Sequence, residues 1–448
     1  MASNNQSKTL KMFLQPRMKD KKIILNALGY FDGFQVGASL PATDISFIQN
    51  IGKPFFVDPM AYMFALPPEQ AIGKETGKVR PSLLSLARKY GPTFERAIGK
   101  RAVVADEILH GSGPLEEFTY NALEYQRTKF HSDDLLLFSG YYDYSKYDAL
   151  EGASGSAGNE TRSMSPDFLL PPFFLIQSAA DPWYQVTLRC ARIATEHTKE
   201  GERLFPVLFL KKELLLDTNF IRSIAQDFSN SGVDGMMIWI NGMSEESSSP
   251  ELLAGLVRLV NSLSSNGTPV IKFFGGFFSI LMHAHGIAAF TGNLSYKTSR
   301  DILAYKWIAP APPKPKFYIP DLHQAYDLEQ ALEILSEFPF LACRCGVCRV
   351  AYGEDLNYFV AEMGREGYCQ NHFLNVRRRE IEFIAKNGMP AALAVMDETL
   401  RSMKRKNARG ARHLMKWRNV MGAAIDVGAG AELLARVGAL PATLTSSA

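Results

Sequence analysis

From residue 22 to about residue 300, short apolar runs alternate with longer amphipathic stretches. The runs fall at 23–28, 54–57, 173–176, 205–210, 235–240, 269–274 and 288–291. Between them, apolar residues recur at helical spacing over 183–200, 219–231, 250–265 and 279–285. A strand that reads as a continuous apolar run is buried on both faces, and such strands alternating with helices predict a parallel sheet. Seven runs are visible and about eight strand–helix units fit this length, so the pattern predicts an α/β fold of the TIM (β/α)8 barrel type with one strand unassigned. An open doubly wound sheet is the alternative. No Gly-x-Gly-x-x-Gly follows the first run and no Gly-x-x-x-x-Gly-Lys occurs, which removes the usual phosphate-binding reason to prefer it.

Two segments interrupt the pattern. Residues 151–165 are rich in Gly, Ser and Ala and read as a surface loop or lid. Residues 309–320 carry Pro310, Pro312, Pro313, Pro315 and Pro320, which predict a stiff connector. Helices are predicted beyond it at 327–335, 354–366 and 372–386. The chain thus divides into a tail (1–20), a barrel (21–308), a connector (309–326), a helical module (327–400) and a C-terminal extension (401–448) whose end, 441–448, frays.

The module holds the strongest chemical signal. Cys343, Cys345 and Cys348 are followed by His372 after twenty-three residues. Three soft thiolates and one imidazole supply the four ligands of a closed, structural zinc site with no open position for water. Cys369 competes for the fourth place. Cys190 stands alone and reads as core.

Composition changes the picture little: 448 residues, 46% hydrophobic and 21% charged, describe a folded globular chain. No uncharged apolar run reaches the length of a membrane span, and residues 1–8 lack the apolar core of a secretory signal. A cytoplasmic location follows as the expectation, where reduced thiols favour metal over disulfides. Net charge is only +3, but its distribution matters more. Arg401, Lys404, Arg405, Lys406, Arg409, Arg412, Lys416 and Arg418 include no acid among them, and Arg377, Arg378 and Arg379 lie upstream. Such a stripe predicts contact with a phosphate backbone.

In a TIM barrel, reacting groups project from the C-terminal ends of strands. Asp58 ends the second run. Asp181 follows the third, although Asp181-Pro182 also reads as an ordinary helix cap. Glu245, beyond the fifth run, is placed to anchor a polar ligand. Gly275 and Gly276 permit close approach of a flat one, and Asn293 closes the last strand. Asp234 precedes its strand and belongs to the opposite face.

These residues resemble a known family. CRCGVC, with His372 in NHFLNVRRREIEFI, resembles the zinc pattern of the tRNA-guanine transglycosylases. FFVDPMAYMFA is similar to the family strand that ends in a substrate-contacting aspartate, matching Asp58. GVDGMMIWINGMSEE is similar to a Gly-x-Asp-Gly strand leading to a glutamate, matching Asp234, Gly235 and Glu245. The resemblance spans roughly residues 20 to 390. The chain departs where Thr291 follows Phe290 in place of the family's nucleophilic aspartate, where IQSAAD replaces the base-recognising segment, where LFLK replaces a Val-Gln-Gly-Gly strand end, and where Trp239 and Ile240 replace paired glycines. With those changes it looks closer to the branch that inserts 7-deazaguanines into DNA. The resemblance implies exchange of guanine in DNA, more than tRNA, for a base such as 7-cyano-7-deazaguanine, by attack of Asp58 or Asp181 at C1′. It also implies a flipped or single-stranded target. Three alternatives remain: the tRNA enzyme itself, a non-catalytic nucleic-acid-binding subunit supporting an active partner, and an unrelated zinc-stabilised barrel hydrolase.

Overall fold

The computed structural model describes residues 9–439 apart from 18–19, 74–75, 111–113, 130–164, 230, 305–313, 354, 405–410 and 431. Several expectations lie outside those residues: residues 1–8, the loop at 151–164, the start of the connector at 309–313, Arg405, Lys406 and Arg409, and the end at 441–448.

Eight parallel strands form one sheet: β1 Lys11–Leu14, β2 Gly33–Gly37, β3 Phe55–Asp58, β4 Leu175–Ile176, β5 Val207–Lys211, β6 Met236–Asn241, β7 Val270–Lys272 and β8 Ile287–Gly292. Their order is β3-β2-β1-β8-β7-β6-β5-β4. The sheet curls. Phe56 of β3 reaches Phe273 beyond β7 at 6.2 Å and stacks on Phe168 at 4.8 Å, while the Asp167 N–H donates to the Phe55 carbonyl at 2.8 Å. Helices such as Pro182–Glu196 and Pro250–Ser264 cover the outer face. The concave face is aromatic: Phe13, Phe56, Phe173, Phe209, Trp239 and Phe273 are all buried. Trp239 stacks between Phe209 at 4.0 Å and Phe273 at 5.7 Å, the bulky filling that a strongly curved sheet of this size needs.

Three of the predicted boundaries are corrected. Residues 23–28 are not a strand: Lys21–Leu25 is a helix that buries Ile23, Ile24 and Leu25 and joins β1 to β2. A short apolar run carries no period that separates buried helix from buried strand. The stretch read as a tail contains β1, and β2 (GFQVG) escaped notice because glycines and Gln35 dilute its apolar signal. Gly33 is needed there: a Cβ would lie 2.4 Å from the Pro54 carbonyl oxygen.

The connector is also more structured than its prolines predict. β9 Lys316–Ile319 and β10 Gln324–Asp327 pair antiparallel. The helix Leu328–Glu337 and the cysteine segment follow. Among the described residues of 354–366, a short turn, Leu356–Tyr358, and the helix Phe359–Met363 form. The long helical segment Tyr368–Lys404 breaks at Gly388, whose φ is 76°, just before Pro390.

The C-terminal extension folds back. In the helix Arg412–Val427, the buried Trp417 donates its indole N–H to the Glu245 carbonyl at 2.8 Å, and Lys416 donates to the carbonyls of Glu246 and Ser248. Among the described residues no helix is long and apolar enough to cross a membrane.

Candidate functional site

Asp58 is the last residue of β3 and lies on the concave face, two residues beyond Phe56. The turn through Pro59 places Met60 in the left-handed region, at φ 56°. The Met60 N–H then donates to the carboxylate at 2.9 Å and Tyr62 donates its hydroxyl at 3.3 Å. Asp58 is 4% exposed. Burial pushes its pKa up to about 6, partly offset by the Met60 N–H, the Arg300 charge and Tyr62. Tyr62 packs edge-on to Trp239 at 5.0 Å, and the Arg300 guanidinium lies over the same indole at 5.9 Å. Two polar atoms of this interior, Gln35 Oε1 and Trp239 Nε1, are buried without a hydrogen-bond partner. Gln35 sits beside Phe56 in register and so shares its face. The concave face thus gathers an acid whose pKa is raised, a phenol, a guanidinium and unmet polar atoms among aromatic rings, groups able to hold or move a proton beside a planar surface.

The other acidic residues read from the sequence sit elsewhere. Asp181 caps the helix Pro182–Glu196: its two oxygens accept from the Gln177 N–H at 2.8 Å and the Trp183 N–H at 3.0 Å. Glu245 is fully buried outside the concave face, where Lys272 contacts it at 3.0 Å and the Ser279 hydroxyl donates at 2.5 Å. Gly276 serves that packing, since a Cβ would lie 2.7 Å from Glu245 Oε2. Gly275 is pressed against Phe290 and also lines a cleft with Asn293. The Asn293 side-chain Oδ1 accepts from the backbone N–H and the hydroxyl of Ser295. Thr291 accepts the Phe274 N–H through its hydroxyl at 3.0 Å. Asp234 accepts from the Leu204 N–H, at the N-terminal side of β6 as read.

Cys343, Cys345, Cys348 and His372 come together, all buried, with every ligand atom within 4.8 Å of the others. His372 directs Nδ1 at Cys345 and Cys348, 3.4 and 3.2 Å away, while Nε2 meets the Tyr318 carbonyl at 2.7 Å. Phe317 stacks on the ring at 4.3 Å. An outer partner that fixes the imidazole and leaves the inner nitrogen free is the arrangement a metal-binding histidine uses, so the donor set can hold a metal ion. Cys369 does not compete: its thiol donates to the Met363 carbonyl, and burial pushes its pKa up to about 12.

Sequence reasoning missed Tyr62, Arg300, Gln35 and Lys272: Lys272 is set by a pairing twenty-seven residues away and Gln35 by its register with Phe56, whereas Tyr62 lies only four residues from Asp58. The basic stripe is partly engaged within the fold: Arg418 pairs with Asp397, Arg401 with Glu398, Arg378 with Asp32, and Arg377 with Glu380. Exposed Arg344, Arg349, Arg379 and Lys386 remain on the helical module that carries the cysteines. Compared with known proteins, the chain matches no family model and no curated protein.

Proposed function

We propose that the chain is a base-exchange transglycosylase that replaces guanine in nucleic acid, DNA ahead of tRNA, with a 7-deazaguanine such as 7-cyano-7-deazaguanine. In this reading the curled sheet is a (β/α)8 barrel and the Cys3His cluster holds zinc. Bound there, zinc supplies structure only, tying the cysteine segment to the helix that carries His372.

The observation that carries the reading is the Asp58 carboxylate, buried at a strand's C-terminal end between Tyr62 and Arg300. In the first step an oxygen of Asp58 bonds to C1′ as the C1′–N9 bond breaks, and guanine leaves with the electron pair and takes up a proton. In the second, the incoming base loses its N9 proton and displaces the carboxylate. Arg300 stabilises the carboxylate form that attack requires, and aromatic walls suit a planar base taken out of the stack. Asp181, with both oxygens engaged in capping, is left to its helix.

A second reading is favoured by the tight packing of Tyr62 over Asp58 and by threonine at 291: a barrel without activity that binds nucleic acid for a partner. Labelled guanine or 7-cyano-7-deazaguanine, offered with duplex DNA, single-stranded DNA and tRNA, decides between them. Label retained in DNA and lost with Asp58→Asn supports the DNA enzyme. Label in tRNA supports the tRNA enzyme, and no label in any substrate by zinc-loaded protein supports the inactive subunit.

A further inference from the structure

A polar cleft lies away from Asp58, where the ends of β1 and β8 meet the module that carries the cysteines. One wall is Arg377, 3% exposed, resting on the rings of Tyr318 at 4.8 Å and Phe373 at 5.1 Å. Its Nη1 lies 2.9 Å from Glu380 Oε2 as an ion pair, and neither that nitrogen nor Nε makes a hydrogen bond. Glu246 also lines the cleft, with Oε2 fixed by the hydroxyls of Ser244 at 2.8 Å and Thr298 at 2.7 Å. Tyr296 completes the wall in the left-handed region at φ 61°, with a buried, unpartnered hydroxyl. A buried guanidinium with an unmet donor, a fixed carboxylate and a strained tyrosine in one concavity are costly to maintain without something to bind.

The charges select the ligand. Arg377 and Lys297 are countered by Glu246, which lines the cleft, and by Glu380, which pairs with Arg377 and with the lining His323, so the cleft offers no strong positive field for a phosphate. A neutral ring with donors on one edge and acceptors on another meets both groups. We propose that the cleft binds a guanine-type base, with Glu246 accepting from the ring imino and exocyclic amino groups and Arg377 donating to the carbonyl or ring nitrogen. Tyr296 and Phe373 supply aromatic surface beside it. The choice of ligand rests on the base-exchange reading. The site itself is separate from Asp58 and would hold either the incoming free base or a base of the bound strand.

Calorimetric titration of the full zinc-loaded chain with guanine, adenine and a short single-stranded guanine oligonucleotide tests this, using wild type, Glu246→Gln and Asp58→Asn. Glutamine keeps the size of Glu246 but presents a donor to donors. The expected result is guanine binding weakened about 10- to 100-fold by Glu246→Gln, with adenine not bound. The same pattern with the oligonucleotide alone assigns the base to the strand. Guanine binding lost with Asp58→Asn but not with Glu246→Gln overturns the cleft and leaves base exchange standing. Wild type that binds no guanine in either form overturns the cleft outright, and the label-exchange assay then decides the function separately. Near-ultraviolet circular dichroism of Glu246→Gln shows that its fold is kept.

Discussion

Asp58 is stabilised as an acid by burial, and that has an energetic consequence at neutral pH. Its folded pKa, about 6, lies above its ordinary value of 3.8, so the native state binds this proton more tightly than the unfolded chain. The favourable contribution is complete below pH 3.8 and is lost as pH rises through about 6, a span of order 3 kcal/mol. Asp58→Asn keeps an acceptor for the Met60 N–H but cannot ionise. It is expected to raise the urea unfolding free energy by about 3 kcal/mol at pH 7.5 while abolishing base exchange, and wild-type exchange should rise with pH through about 6. Equal stability of the two proteins at pH 7.5 would remove the burial argument. Glu245 is the contrasting acid. It pairs with Lys272 where both are almost wholly buried, so Lys272→Met alone should cost about 3–5 kcal/mol and Lys272→Met with Glu245→Gln much less, as a double-mutant cycle in urea would measure. Sequence position placed Asp58 at a strand end correctly. It suggested a ligand anchor for Glu245 because a pairing made twenty-seven residues away leaves no local mark.

At the scale of elements, legibility follows how local the cause is. The Cys-x-Cys-x-x-Cys segment is readable because Cys345 caps the short helix Gly346–Ala351, accepting the Cys348 N–H, and so brings two sulfurs together within one turn. His372 is readable because few histidines compete for it. β1 and β2 are not, since four or five residues become strands here through parallel pairing with β8 and β3, and such pairing is invisible locally. The Cys3His cluster makes a sharp prediction about elements. Cys369→Ala should retain one zinc per chain by elemental analysis, and Cys348→Ser should lose it. Chelation of the wild type should lower hydrogen-exchange protection in β9 and the Tyr368–Lys404 helix, which His372 joins through the Tyr318 carbonyl, more than in β5 and β6. Equal loss of protection in both regions would mean that the metal holds the whole fold and not the module.

For the whole molecule, the helix Arg412–Val427 is the tie, and its role could not be read from composition. Charge along 401–418 predicts a nucleic-acid stripe, yet Lys416 and Trp417 hold the loop that carries Glu245 and Glu246. One turn earlier, His413 meets the Leu322 carbonyl at 2.6 Å, packs against Trp417, and is driven down to a pKa of about 4, first by burial and then by the neighbouring charges of His323 and Lys416. Here the unfolded chain binds the proton more tightly, so stability falls as pH drops from 6.5 to about 4, by about 3 kcal/mol. Asp58 works in the opposite sense over an overlapping window, gaining stability as pH drops from about 6 to 3.8. The two groups lie in different parts of the fold, and their effects should add. Wild type is therefore expected to show little acid dependence from this pair, because one gain offsets one loss. Asp58→Asn should become acid-labile, losing about 3 kcal/mol between pH 7 and 4. His413→Gln, whose amide can still donate to Leu322, should become more stable on acidification, and the double variant should return to the wild-type profile. Urea unfolding of the four proteins at pH 7, 5.5 and 4 measures this directly, and parallel pH profiles for all four would show that neither burial shapes the stability of the fold.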